Sequence, residues 1–443
     1  MRGGGLAGQI GNGARKSITG MICLAWGRLT PWRCSEVFQG DKMAANGAGR
    51  AGAQDADILI IGGGIAGLTA ALGLIRQGRK VRLFEQADAF GDVGAGITLS
   101  QPASRGLFSL GLREAIEAAA DIPVRAGGAD WRTGERLGGP DQMAIARERG
   151  DIPYFYQLHR ADMHAILADA VAVADPEAIT LGAQMTRLEQ DQVGVTAHFA
   201  DGSCARAPIL AGADGINSRV RAELFGEENP RFTGQVAYRF LIPFEDVSHH
   251  MHLGPSVNYL GPNRQVLVYR IRHGAVVNGV AFVKTDSWTG EGWSTPADVE
   301  ELLEKFEGWN ADVRGLIASA PREGTRKWAL FDRDPLPQWT VGRVTLMGDA
   351  AHPMLPFLGL GAAMGIEDAV VFARSLSETA DPVAALQRYE ATRRERANWV
   401  LLASRKQGEI NQSGDTSRRG KPDPRHETLM TYDPATTEIA TFA

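Results

Sequence analysis

DILIIGGGIAGLTAALGLIRQGRKVRLFE, Asp57 to Glu85, is the stretch that decides the fold. Asp57–Ile61 is a short, nearly continuous apolar run, as a parallel strand buried on both faces requires. Gly62, Gly64 and Gly67 follow in a G-x-G-x-x-G pattern. Leu68–Gln77 predicts a helix ending at Gly78, and Val81–Phe84 a second strand that delivers Glu85. Each glycine has its own duty. Gly62 permits the tight turn, Gly64 lets the backbone approach a pyrophosphate, and Gly67 allows close helix–strand packing. Glu85 stands where an acid binds the ribose hydroxyls of an adenosine half. Strand, turn, helix, strand and acid in this order predict a dinucleotide-binding unit.

A second anion-receiving corner lies far downstream in GDAAHPMLPFLGLGAAMGIEDA, Gly348 to Ala369. Val344–Met347 reads as a strand, a turn holding Pro353, Pro356, Gly359 and Gly361 follows, and Ala362–Phe372 reads as a helix. Such a corner presents backbone N–H groups and a helix dipole to an anion or an electron-rich ring. Asp349, just before the turn, suits a sugar hydroxyl held by a charge-assisted hydrogen bond. Glu85, in place of an arginine, fits an unphosphorylated ribose and so FAD or NAD. The second loop decides for FAD, which needs a further site for its ribityl chain and flavin ring.

With these motifs the chain resembles the single-component FAD-dependent aromatic hydroxylases, the class A flavoprotein monooxygenases. GAGITLS at Gly94–Ser100, QLHRADMHAIL at Gln157–Leu167 and GADGINSRVR at Gly212–Arg221 extend the resemblance from Ala56 to about Gln412. In the last of these, Asp214, Gly215, Ser218 and Arg221 hold the positions of the family's Asp-Gly motif. WTGEGW at Trp288–Trp293 and KWALFDRDPLPQW before the second FAD motif point to the salicylate hydroxylase branch, with relatives acting on 3-hydroxybenzoate and 6-hydroxynicotinate. Leu360 departs from the pattern, since relatives commonly carry glutamine there; Gly359 and Gly365 stand where alanine is frequent.

The resemblance implies an α/β fold: a Rossmann-like FAD-binding domain with an inserted, antiparallel β-sheet substrate domain and a C-terminal helix. It also implies a hydroxylase of a small aromatic acid, the alternatives being an epoxidase or hydroxylase of a larger ring substrate and a non-hydroxylating flavin-binding redox protein. NAD(P)H reduces FAD, O2 adds to form a flavin hydroperoxide, and its outer oxygen passes to the ring. The cofactor carries the hard step while the protein orients the ring and excludes water. The expected cofactor ligands are Gly62, Gly64, Gly67, Glu85, Arg160, Asp214, Gly348, Asp349 and Gly361. Asp162 and His164 are read as helical neighbours of Arg160.

A phenol reacts faster as a phenolate, so a base or acceptor near its hydroxyl is expected. Tyr238 and Gln235, in TGQVAYRF, are the candidates, Tyr238 being equally readable as a packed aromatic. Alternation places Arg239 on the face opposite Tyr238. Thr98, Tyr269 and Arg270 are candidates for substrate binding, and Pro356 for the apolar roof over the flavin. His352 is tempting as a base, though in this motif it more readily orders the loop or approaches the flavin. His249-His250-Met251-His252 lacks nearby acids or cysteines and reads as a solvated loop, so no metal is expected.

Composition agrees. The chain has 443 residues, 44% of them hydrophobic, enough for two substantial cores. A net charge of −5 gives no electrostatic reason to expect nucleic acid. Three cysteines without metal spacing argue against a disulfide framework and fit a reducing, cytoplasmic setting. No apolar run approaches the ~20 residues of a membrane span. Residues 1–54 are glycine-rich and basic through Ser35, as in a transit or signal segment; an upstream start with Met43 the true one is the preferred reading. The expected organisation is a disordered extension at 1–54, the FAD domain at 55–230 and 328–412, a substrate-covering sheet at 231–327 and a polar tail at 413–443. Monomer and homodimer both remain open.

Overall fold

The computed structural model describes residues 55–91, 95–124, 126–138, 141–288, 294–413 and 425–442. The extension before Asp55, most of WTGEGW and the start of GAGITLS lie outside them. The chain opens on β1 (Ile58–Ile61), α1 (Ile65–Arg76) and β2 (Val81–Phe84), followed by β3 (Gly96–Ser100), α2 (Gln101–Ser109) and α3 (Arg113–Ala119). Then come β4 (Ala126–Asp130), α4 (Gln142–Arg149), β5 (Phe155–His159) and α5 (Arg160–Ala174). β6 (Ile179–Thr180), β7 (Met185–Gln190), β8 (Val195–Phe199), β9 (Cys204–Ala207), β10 (Ile209–Gly212) and α6 (Arg219–Phe225) complete the first pass.

A second run is mostly strand: β11 (Arg231–Pro243), α7 (Phe244–Val247), β12 (Ser256–Gly261), β13 (Arg264–Ile271), β14 (Val276–Lys284) and β15 (Thr295–Pro296). α8 (Val299–Lys305), α9 (Ala311–Ala318) and β16 (Arg326–Asp332) follow. β17 (Thr340–Val341), β18 (Val344–Leu346), α10 (Gly361–Glu378), α11 (Pro382–Gln412) and α12 (His426–Thr431) close the described chain.

The first sheet has the order β17-β18-β10-β1-β2-β6, parallel except for the edge strand β17. Its central strands β1 and β10 are buried along their whole length. α1 and α10 pack together, and Gly348 and Gly365 bring the second loop against Ala66 of α1. A Cβ at either glycine would stand 3.1 or 3.0 Å from the Ala66 methyl. α11 starts at an Asp-Pro step, where Asp381 caps the N–H of Ala384 and Pro382 needs no partner. Leu386, Tyr389, Ala397 and Val400 all face inward, as their spacing predicts.

The second sheet has the order β15-β16-β11-β14-β13-β12-β4. It is antiparallel except between β12 and β4. The α/β class, the antiparallel covering sheet and the long late helix stand as expected. The boundaries differ: the sheet reaches Asp332 and borrows β4 from residues 126–130, so it is no contiguous insertion. The AGGAD of β4 offers no alternation to read. Nor is the end of the chain simply a polar tail, since Leu429, Met430 and Ile439 are buried. Among the described residues no helix is long and apolar enough to cross a membrane.

Candidate active site

The fingerprint turn is fixed by steric contact. Gly62 has φ +107°, and a Cβ there would lie 2.4 Å from the Ala213 carbonyl oxygen, where β10 ends beside β1. A Cβ at Gly67 would lie 2.0 Å from the Gly62 carbonyl oxygen. At Gly64 it would meet nothing within 4 Å. Gly64 also opens α1 without a side-chain cap, which leaves first-turn N–H groups to an anion. The turn is clamped from both sides at Gly63: Glu85 Oε2 accepts its N–H at 2.7 Å, and His164 Nε2 donates to its carbonyl at the same distance. Burial pushes His164 down from the ordinary imidazole range, so it acts as a neutral donor.

Glu85 and the turn line a cavity of about 320 Å³ together with Met185, Asp214 and Asn217. Asp214 spends both carboxylate oxygens within its own turn, on the Ser218 hydroxyl (2.5 Å) and the Val220 N–H (3.0 Å). It therefore shapes the cavity wall. Burial raises its pKa, against these bonds.

The second loop meets this site from the opposite end of the chain. Gly348 turns at φ +57°, and Asp349 follows in a short 3-10 turn. Asp349 keeps an accessible carboxylate while protein surrounds it, the position of a group facing an interior cleft. Desolvation raises its pKa; the charges of His352 and Arg160 oppose the rise. Arg160 opens α5 and acts electrostatically on Asp349, His164 and Arg239 alike, which places it between the loop and the second sheet. Gly361 starts α10, again with no side-chain cap. Pro356 begins a 3-10 turn whose neighbours Leu355 and Phe357 pack on Ala237, Val280 and Phe282 of the second sheet.

That packing identifies which face of the sheet looks at the loop. Ala237 is on it, so Arg239, two residues on, is too, whereas Val236, Tyr238 and Phe240 enter the core on the far side. Arg239 is partly accessible although protein surrounds it, and its guanidinium lies 5.1 Å from the Trp328 ring. Its Nε has no hydrogen-bond partner. Burial pushes Arg239 below its usual pKa, and Tyr269 and Arg160 are the charges it feels. Tyr269 is buried, hydrogen-bonded to Thr98, and held above its usual pKa by desolvation. Gly96 makes room for it, since a Cβ there would fall 2.5 Å from the Tyr269 hydroxyl.

The FAD binding domain family matches residues 55–404. A 3-amino-4-hydroxybenzoate 2-monooxygenase of Streptomyces platensis is 40% identical, over 85% of this chain and 94% of its own length. The 6-hydroxynicotinate 3-monooxygenase of Bordetella bronchiseptica is 35% identical, over 78% of this chain and 90% of that one. The solved salicylate hydroxylase substrate complex superposes with a TM-score of 0.74 at 29% identity, covering 85% of this chain and 95% of the other. The chain belongs to the single-component FAD-dependent monooxygenases. Its cofactor is FAD, and the residues fit it. Gly64 leaves the close approach a pyrophosphate needs, α1 and α10 present uncapped N-termini, and Asp349 offers an accessible carboxylate within the cleft.

The monooxygenase brings together Gly62, Gly64, Gly67, Glu85 and Asp214 at one end of the site, and Arg160, Gly348, Asp349, Pro356 and Gly361 at the other. Thr98 and Tyr269 meet at the substrate sheet. Four expected residues are elsewhere. Tyr238 points away from the loop and donates to Glu301 at 3.1 Å. Arg270 is likewise on the far face, over the Phe244 ring at 3.9 Å. Gln235 is on the near face, but Gln412 of α11 covers its amide at 2.8 Å. His352 is fully buried behind the loop and bonded to Asp368 at 2.5 Å, which is a loop-ordering place and no place for a base. Two residues given no site role from the sequence lie beside it: Arg239, on the loop-facing side of the sheet, and His164, bonded to the fingerprint turn. Among the described residues no group of three His, Cys, Asp or Glu could hold a metal ion.

Proposed function

We propose that this monooxygenase hydroxylates a small aromatic acid of the salicylate, hydroxybenzoate or hydroxynicotinate type, using NAD(P)H and O2. The observation that carries the substrate class is Arg239, a partly accessible cation on the side of the sheet that packs on the flavin loop, whose buried Nε has no hydrogen-bond partner. A guanidinium there matches a planar carboxylate in shape and charge. Relatives named for amino-hydroxybenzoate, hydroxynicotinate, hydroxybenzoate and salicylate share the carboxylate and the electron-rich ring.

FAD, when bound and reduced by NAD(P)H, supplies the activation of O2 and its transfer to the ring. Gly64 and the start of α1 would hold the pyrophosphate, in the turn that Gly62 and Gly67 permit, with Glu85 on a ribose and Asp349 on a sugar hydroxyl. Arg239 anchors the substrate carboxylate, and Tyr269, kept protonated by burial and hydrogen-bonded to Thr98, stands beside it as a neutral phenol. The apolar seam of Val280, Phe282, Leu355 and Phe357 joins loop to sheet and keeps water out.

The test is NADH and NADPH oxidation by the purified yellow protein with salicylate, 3- and 4-hydroxybenzoate, 6-hydroxynicotinate, anthranilate and 3-amino-4-hydroxybenzoate, peroxide being measured alongside. One acid that stimulates oxidation strongly with little peroxide supports the proposal and names the substrate. Equal, weak oxidation with all of them, ending in peroxide, overturns it.

A further inference from the structure

After α12 the chain runs over the cofactor domain to Phe442 as a strap without helix or strand, turning at residues 434–437. Four arginines from elements well upstream grip backbone carbonyls of the strap and of the end of α12. Arg105 of α2 donates to Met430 and Tyr432 (2.8 and 3.2 Å), and Arg396 of α11 to Leu429 (2.9 Å). Arg374 of α10 donates to Pro434 and Thr437 (3.1 and 2.7 Å), and Arg388 of α11 to Ala440 (2.7 Å). A surface segment fastened at this many points is held in one place.

What it covers is an ion network. The Tyr432 ring lies 4.0 Å from the Arg396 guanidinium and 5.2 Å from that of Arg393. Arg393 is fully buried and paired with Glu367 at 2.7 Å and Asp368 at 2.9 Å, both also fully buried. Asp368 in turn accepts the N–H of Gly348 at 3.0 Å and binds His352 at 2.5 Å. Contacts therefore run without a gap from Tyr432 through Arg393 and Asp368 to Gly348, the residue before Asp349. Buried charge pairs hold fixed geometry only while water is excluded, because entering water competes for the same donors and acceptors.

We propose that Tyr432 is a positioning residue for the cofactor loop: by sealing the Arg393 network it holds Asp368, and through it Gly348 and Asp349, in the arrangement that receives FAD. The role is one of cofactor affinity and stands whichever aromatic acid is the substrate.

The test is titration of the full-length apoprotein with FAD, followed by flavin fluorescence and absorbance, with apoprotein Tm measured in parallel. The Tyr432 hydroxyl has no hydrogen-bond partner. Tyr432→Phe, which keeps the ring over both cations, is therefore expected to bind FAD as the parent does. Tyr432→Leu removes the ring and is expected to raise the Kd about tenfold and alter the bound-flavin spectrum, with kcat at saturating FAD unchanged. A Leu variant of lowered Tm but parental FAD affinity overturns the proposal, and so does a Phe variant that loses as much affinity as Leu. Should Tyr432→Leu fail to fold, Arg374→Met loosens the strap at Pro434 and Thr437 without touching the ion network. A raised Kd there supports the proposal and an unchanged one overturns it.

Discussion

A guanidinium that solvent reaches only through a cleft is a strong receptor for a carboxylate, because the pair forms where little water competes. Arg239 is partly accessible on the loop-facing side of the sheet with protein around it, and Tyr238 beside it faces the other way. Arg239→Gln is expected to raise KM for the aromatic acid about ten- to a hundredfold, as loss of a charge-assisted bond worth ~1.5–3 kcal/mol implies. Tyr238→Phe leaves kcat and KM within about twofold, since it loses only the bond to Glu301. Steady-state kinetics of the two variants separate the faces of β11. Alternation showed that these neighbours oppose one another, but not which of them looks inward. Only the packing of Ala237 on Leu355 and Phe357 decides that. His352 hid its role for a related reason: its partner Asp368 lies sixteen positions on, in a helix whose inner face sequence does not reveal. Burial would raise the pKa of Asp368, yet His352 and Arg393 hold it at about 2, below the ordinary 3.8. A depressed carboxylate contributes stability that is complete above its unfolded pKa and lost as pH falls through the folded one. Urea unfolding should therefore show a loss between about pH 4 and pH 2 that Asp368→Asn lacks. That variant should also be less stable at pH 7 by about 3 kcal/mol, as when one partner of a buried ion pair is removed.

The fingerprint turn offers a cleaner separation of fold from cofactor binding. A methyl at Gly67 drives into the Gly62 carbonyl, so Gly67→Ala is expected to open the turn, lower apoprotein Tm and yield colourless protein. A methyl at Gly64 meets no protein atom, and Gly64 already has φ −74°, which alanine adopts freely. Gly64→Ala should keep the apoprotein stable to within about 0.5 kcal/mol and still bind FAD at least tenfold more weakly. Apoprotein melting and FAD titration check both. The helices and central strands were legible because burial on one side or two leaves a period in the sequence. β4 was not, because AGGAD has none. The strap was not, because its anchors are backbone carbonyls, which carry no residue signature. Leu360, conspicuous as a departure from related sequences, is packed in the first core at the start of α10.

The two halves of the cofactor site come from residues 57–85 and 348–369, so the bound cofactor joins parts of the chain that are otherwise connected through the sheet and through the packing of α1 on α10. FAD at a thousand times its Kd should stabilise the protein by about 4 kcal/mol through linkage. The expected observation is a single calorimetric transition that moves to higher temperature as FAD is added. Two transitions, with only one shifted, would show the sheets to unfold separately.

The early position of β4 has a consequence for how the protein is made. Ala126–Asp130 has residues 135–137 turned back along one edge and takes Ser256–Leu260 along the other, and Leu210–Gly212 awaits Val344–Leu346. On the ribosome, each of these strands emerges long before the neighbour on one of its edges and must wait with that hydrogen-bonding edge bare, the condition under which chains join one another. Yield from a cell should thus depend on translation speed and chaperone supply during the middle third of synthesis, more than on the stability of the finished molecule.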